Sequence, residues 1–169
     1  KGKKSNDIIH KALEILERLE HRGAVSADGK TGDGAGILID IPHDFFQAVC
    51  DFELPKVGDY AVGNIFFPRK SNQRDFCISV FEENIKKQGL KLLGWRDVPV
   101  NRSVPGRIAA ETEPFVKQIF VAKENSEQDY FEFNLKLYIA RKVTEHTIIK
   151  SKLSESKFFY VPSLSTKII

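Results

Sequence analysis

Between residues 23 and 36 the chain reads GAVSADGKTGDGAG, with five glycines, two aspartates, one lysine and one threonine. Every glycine adds backbone freedom that folding must remove, so neither helix nor strand forms there on local preference alone. The fold must therefore carry an irregular segment between regular elements. Ordinary surface loops rarely need so many glycines, and the density predicts a close approach of backbone to a ligand or to a neighbouring segment. Two phosphate-binding readings fail on spacing and context. Gly29, Lys30 and Thr31 resemble the end of a phosphate loop, but the first glycine of that pattern would fall at 24, where Ala24 stands. The element before it reads as a helix, whereas such a loop runs from a strand into a helix. Gly32, Gly34 and Gly36 run into a strand, not into a helix whose N-terminus could receive pyrophosphate.

The elements around this segment follow from periodicity. Residues 5–19 place Ile8, Ile9, Ala12, Leu13, Leu16 and Leu19 at helical spacing, with Lys11, Glu14, Glu17 and Arg18 on the other side. Ser5 or Asn6 suits the N-cap and Asp7 the first turn. Residues 37–41 read as a short strand stopped by Pro42, and 43–52 as a short helix with Phe45, Phe46, Val49 and Cys50 inward. Strands are predicted over 60–67, 90–100 and 115–122, the second with a half-buried Trp95. Helices are predicted over 73–88, with Gly89 as the terminating glycine, briefly over 107–112, and over 130–149. In the last of these Phe133, Leu137, Ile139, Ala140 and Val143 are the inward candidates. Residues 158–161 read as a strand, Pro162 as a turn and 166–169 as a further strand. Long helices alternate with short strands without a clean βαβ repeat, which predicts one layered α+β or α/β domain.

Composition narrows the function. The 169 residues carry a formal net charge of +3, too weak a field to predict nucleic-acid or membrane binding. No apolar run approaches the roughly 18 residues of a membrane span, and the start has no apolar signal segment. Two cysteines supply neither a disulfide framework nor a four-thiolate metal site, which predicts a reducing, cytoplasmic setting. Methionine is absent, and the chain starts Lys-Gly and ends Ile-Ile, the pattern expected of a piece of a longer protein. Cys50 and Cys77 fall on apolar helix faces without a histidine partner and read as structural. His21 and Arg22 suit a helix C-terminus, and Arg22 beside Gly23 could also hold a carboxylate. His43 and Asp44 read as a helix cap. Asp28 and Asp33 flank the glycine turn without enough ligands for a metal, and Glu111 and Glu113 read as a solvated turn. Asn101, Arg102 and Ser103 match a glycosylation pattern that has no meaning in a cytosolic chain.

Longer matches go further. Residues 19–25 (LEHRGAV), 27–28, 30–37 (KTGDGAGI), 41–43, 61–63, 68–69, 89–90, 93–100 (LGWRDVPV), 112–114, 118–121, 137–142 and 163–167 resemble, in order, the N-terminal glutaminase domain of glutamate synthase large subunits. That is a class II glutamine amidotransferase domain. The resemblance covers essentially the whole chain and implies one partial domain over residues 1–169. The implied fold is α+β: a four-layer αββα sandwich of the N-terminal-nucleophile hydrolase type, incomplete in this chain. It implies hydrolysis of L-glutamine to glutamate and ammonia, for glutamate synthesis from 2-oxoglutarate, by an N-terminal cysteine lying upstream of Lys1. The alternative is a non-catalytic structural or regulatory relative that has lost that nucleophile. Either way no catalytic residue is assigned within the chain. Arg22, Gly23, Asp33 and Gly34 are the residues that would shape the pocket. The resemblance implies no cofactor or metal in this chain, with FMN and iron–sulfur clusters in other domains of the parent. The implied partners are L-glutamine, a flavin-bearing synthase domain or subunit, NADPH or ferredoxin as a distant electron donor, and a possible second copy.

Overall fold

A computed structural model describes residues 5–125 and 127–169. The chain forms two compact units. One comprises Lys1–Leu38 and Val100–Glu113, the other Ile39–Pro99 and Pro114–Ile169.

The larger unit is built on an antiparallel sheet of four strands, β1 (Tyr60–Phe67), β2 (Leu90–Asp97), β3 (Phe115–Lys123) and β4 (Tyr160–Ser165), in the order β2-β3-β1-β4. Alternation along β1 and β3 sorts the side chains by face. Ala61, Ile65, Phe67, Ile119 and Val121 join one apolar cluster, while Tyr60, Val62, Phe120 and Ala122 join another. The first face is covered by α3 (Ser71–Lys87) and α5 (Tyr130–Lys150). From α3 come Cys77, Val80, Phe81 and Ile85, and from α5 come Phe133, Leu137, Ala140 and Ile148. Where the two helices meet, the buried Asn84 Nδ2 donates to Thr144 Oγ1 at 3.0 Å, so this polar pair enters the core satisfied. Helix α3 stops at Gly89, whose φ of +61° suits a residue without Cβ. Helix α5 starts at Asp129, whose carboxylate accepts from the amides of Phe131 and Glu132.

The second face lies under the short helix α2 (His43–Val49) and the segment after it. Phe46 and Phe52 meet Phe120 edge-on, with ring centroids 5.0 and 5.2 Å away. Phe52 lies against the backbone of Gly94, where a Cβ would come within 2.5 Å of the ring. Residues 39–41 pair antiparallel with 167–169: Ile39 and Ile169 exchange amide–carbonyl bonds at 3.0 and 2.9 Å. The fold is thus mixed α+β, a central antiparallel sheet flanked by helices.

Some sequence expectations change. Pro162 lies inside β4 rather than in a turn. β4 is an edge strand with a register shift between Asn64 and Phe66 of β1, where a missing N–H is tolerated. Of the apolar set on α2 only Phe46 is buried, while Phe45 and Val49 are 50% and 42% exposed. On α5 Val143 points outward, and Thr144 and Ile148 complete the inner stripe.

The smaller unit contains α1 (Asn6–Arg18), a 3₁₀ turn over Glu20–Arg22, the glycine-rich segment and α4 (Arg107–Thr112). Its only buried described residue is Gly106. The helix read as amphipathic forms as expected, yet Ile8, Leu13, Ile15 and Leu19 are all exposed.

Candidate functional site

The glycine-rich segment folds back on itself. Val25 bridges Gly32 antiparallel, Ser26 N donates to Thr31 O at 2.7 Å, and Gly29 closes the turn with φ +68°. Asp28 is the hub. Its Oδ1 accepts from the amides of Lys30 and Thr31 at 3.1 and 2.8 Å, and its Oδ2 from Thr31 Oγ1 at 2.7 Å and Ile108 N at 3.1 Å. Thr31 Oγ1 in turn accepts from Ala109 N at 3.1 Å. Ile108 and Ala109 are in the first turn of α4, whose N-cap is Gly106 and so offers no side chain. Two residues distant in sequence therefore cap the orphan amides of that helix. The carboxylate occupies the space a side chain at 106 would need: a Cβ there would lie 2.4 Å from Thr31 Oγ1 and 2.6 Å from Asp28 Oδ2. The close approach lies at Gly106, outside the glycine-rich segment, and not at the glycines whose density predicted it: Gly29, Gly34 and Gly36 have open space around them, and Gly23 and Gly32 meet one backbone oxygen each at 3.4 Å. These hydrogen bonds, the Thr31 hydroxyl first, hold the Asp28 carboxyl far below the usual carboxylate range. All of its acceptor capacity is used, which leaves none for a cation.

The four residues expected to shape a pocket lie at the neck of this loop. Arg22 ends the 3₁₀ turn and is exposed, with no hydrogen bond to its guanidinium among the described residues. Gly23 follows in an extended conformation, φ −88°, its amide donating to Glu20 O at 2.9 Å. Asp33 Oδ2 accepts from Ala24 N at 3.0 Å and so ties the two sides of the neck together. Gly34 has φ +77° with open space around it. Gly23 and Asp33 are brought together through Ala24; Arg22 and Gly34 are their neighbours along the chain and share no hydrogen bond with them among the described residues.

The cysteines are held in unreactive form. Cys77 is fully buried among the side chains of α3 and the sheet, and burial pushes its thiol up to about 11. Cys50 follows α2, half-buried beside an open depression of about 540 Å³ bordered also by Gln47, Asp51, Phe52, Glu53 and Leu54. Burial raises its thiol too, the charge of Arg96 opposing that shift and Asp51 reinforcing it. A nucleophilic cysteine needs thiolate character and a base. The two cysteines of this chain stand at positions 50 and 77, far from the N-terminus, and neither meets that need. The expected hydrolysis of glutamine through an N-terminal cysteine is therefore not carried by these residues, and the non-catalytic alternative fits them better. His43 does not cap α2, whose N-cap is Pro42. Its Nδ1 lies 2.9 Å from the hydroxyl of Tyr60, a phenol that burial, with smaller effects from Cys50 and Asp44, pushes up to about 12. Among the described residues no three His, Cys, Asp or Glu side chains converge to hold a metal. No helix among them is long and apolar enough to cross a membrane.

The role of Asp28 is not legible in the sequence, because its partner Ile108 is 80 residues away on a helix with a glycine cap. A row of polar side chains across the sheet, Arg96, Gln118, Asn64 and Ser163, also escapes sequence reasoning. Its only signal is one amide residue in each of β1 and β3.

Comparison with known proteins places this architecture. The family of class II glutamine amidotransferases matches residues 1–169. The chain is 38% identical to the glutamate synthase [NADPH] large chain of Bacillus subtilis, over 100% of this chain and 11% of that protein. It is 37% identical to the glutamate synthase [NADH] of Saccharomyces cerevisiae, over 99% of this chain and 8% of that protein. It is also 37% identical to the ferredoxin-dependent glutamate synthase 1 of Arabidopsis thaliana, over 98% of this chain and 10% of that protein. The chain thus spans about a tenth of the length of the curated relatives it matches. With a full-length family match and ordered identity to several relatives, the chain belongs to the class II glutamine amidotransferases and is related to the N-terminal region of glutamate synthase large subunits.

Proposed function

We propose that these 169 residues act as a non-catalytic, structural part of a class II glutamine amidotransferase domain in a glutamate synthase-like protein. The observation that carries this reading is the state of the two cysteines: Cys77 buried and Cys50 half-buried, neither with a base beside it among the described residues, and both thiols raised by burial. In this reading residues 1–169 are one part of one domain in the cytoplasm. Arg22, Gly23, Asp33 and Gly34 shape the wall of a pocket, with Asp33 holding the loop neck by its bond to Ala24. L-glutamine is the substrate met by the parent protein. A flavin-bearing synthase domain or subunit is its partner, and NADPH or ferredoxin its distant electron donor. FMN and iron–sulfur clusters belong to those other parts, since two separate cysteines cannot ligate a cluster.

The test is ammonia release from glutamine. The 169-residue chain is expected to release none above buffer. In the full-length protein, Cys50→Ser and Cys77→Ala are expected to leave any such activity unchanged at equal folded fraction. Ammonia release that iodoacetamide blocks, with the label found on Cys50 or Cys77, would overturn the reading.

A further inference from the structure

Helices α3 and α5 cover the same face of the sheet, yet their outer sides differ. Among the exposed residues of α3 only Phe76 is apolar. Helix α5 is apolar on both sides. Phe133, Leu137, Ala140 and Ile148 are buried against the sheet and α3. On the opposite side Phe131, Leu135, Tyr138 and Ile149 are 73%, 45%, 59% and 67% exposed. A helix laid on one surface needs one apolar stripe, so a second stripe points to a second surface. Its spacing shows which kind. Phe131, Leu135, Tyr138, Lys142, Glu145 and Ile149 follow one another at alternating steps of four and three residues, the seam by which one helix packs along another.

The two charges inside the seam select the occupant and its direction. A parallel copy would set Lys142 on Lys142 and Glu145 on Glu145. An antiparallel copy, with a two-fold axis at the level of Ala140, sets unlike residues together: Phe131 on Ile149, Leu135 on Glu145 and Tyr138 on Lys142, each pair occurring twice. Lysine over a tyrosine ring is an attractive contact. Glu145 enters with its charge already matched, since its carboxylate accepts from Arg141 Nε at 3.0 Å and from Lys142 Nζ at 2.6 Å. The helix ends are complementary too. Asp129 and Glu132 stand at the start of α5, Lys150 in its last turn and Lys152 just beyond, and antiparallel helices oppose their dipoles. We propose that the outer stripe of α5 is a docking surface for α5 of a second copy of this chain, packed antiparallel about that two-fold axis.

The test is disulfide trapping in the full-length protein, read as linked peptides by mass spectrometry. Isotopically light and heavy chains are mixed so that links between copies are identified. In Phe131→Cys/Ile149→Cys, mild oxidation is expected to join position 131 of one copy to position 149 of the other. Within one chain those positions are about 27 Å apart at a rise of about 1.5 Å per residue, too far for a disulfide. Phe131→Cys alone is expected to give no 131–131 link, because the two-fold axis separates those positions by the same distance. Adding Tyr138→Lys to the doubly substituted protein sets a like charge against each Lys142 and should slow linking about tenfold at equal concentration. Adding Lys142→Glu as well should restore the rate, a rescue that a damaged fold would not show. A 131–131 link, or a linking rate that ignores Tyr138→Lys, would overturn the proposal. So would the absence of links between copies, whether position 131 then alkylates fast, as on a bare face, or slowly, as under another part of the full-length protein.

Discussion

The sheet unit and the loop unit solve the problem of order by different physics. In the former, 23 buried hydrophobic residues among those described form two clusters on opposite faces of one sheet. In the latter, no side chain among the described residues is buried, and order rests on hydrogen bonds that converge on Asp28 and Thr31. Apolar burial is diffuse and tolerates imperfect geometry, whereas a carboxylate with four donors works only while it is charged and in place. The two units should therefore fail under different insults, and this sets the order of the expected effects.

The largest effect belongs to the sheet unit. Phe120 is fully buried, met edge-on by Phe46 and Phe52, and sits at the centre of the second cluster. Phe120→Ala removes that contact area and leaves a cavity, with an expected cost of about 3–5 kcal/mol. Urea unfolding followed at Trp95 should show the midpoint fall accordingly. Hydrogen exchange at the amides of Thr31 and Ile108 should stay within experimental error under native conditions. An equal loss at those amides would show that the loop unit depends on the apolar core, and the contrast would be wrong.

Acid should act the other way round. The Asp28 carboxyl is held down by its donors, so its stabilisation is fully present above the unfolded carboxylate value of about 3.9. It is lost as pH falls below that value toward the depressed folded one. Hydrogen exchange, corrected for intrinsic rates, should show the Thr31 and Ile108 amides losing protection as pH falls through this window. The strand amides of β1 and β3 should keep theirs. Asp28→Asn, which swaps half of the acceptors for donors, should reproduce the loss at pH 7. Unchanged protection at Ile108 in that variant would mean that Asp28 does not hold the cap of α4.

The same contrast explains what can be read from the sequence. Strands β1 and β3, and helices α3 and α5, are visible because their neighbours in space repeat the period that the chain itself displays: Phe81 and Ile85, or Phe133 and Leu137, mark faces. Pro162 misleads because a proline reads as a break unless the strand is known to be an edge. On α1 the periodicity is genuine, but periodicity says which face is apolar and not whether anything described covers it. The loop is legible as an anomaly only. Glycine density there does not mark a close approach, since the position of this unit that must be glycine for space is Gly106, outside the segment. Of the residues expected to shape a pocket, Asp33 has a definite task at the loop neck. Asp28, which in the sequence is only a carboxylate with too few companions for a metal, has the larger one.

The smallest effect separates glycines that the loop requires from glycines it merely contains. Gly34 has φ +77° and no atom within 4 Å of the point a methyl group would occupy, so space is free but conformation is not. Gly36 has the same open space without a positive φ. In Gly34→Ala the left-handed backbone costs about 1–2 kcal/mol. In Gly36→Ala the folded chain is unstrained and the unfolded chain loses freedom, a gain of about 0.4–1 kcal/mol. Protection at the Thr31 amide should fall roughly tenfold in the first variant, since about 1.4 kcal/mol is a factor of ten, and rise slightly in the second. If both variants lose protection alike, the glycines serve something other than backbone conformation, and the loop's order cannot be ascribed to Asp28 and Thr31 alone. Opposite signs would reduce the anomaly that dominates the sequence to a few positions: Gly29 and Gly34 for their dihedral angles, and Gly106 for the space that the carboxylate fills.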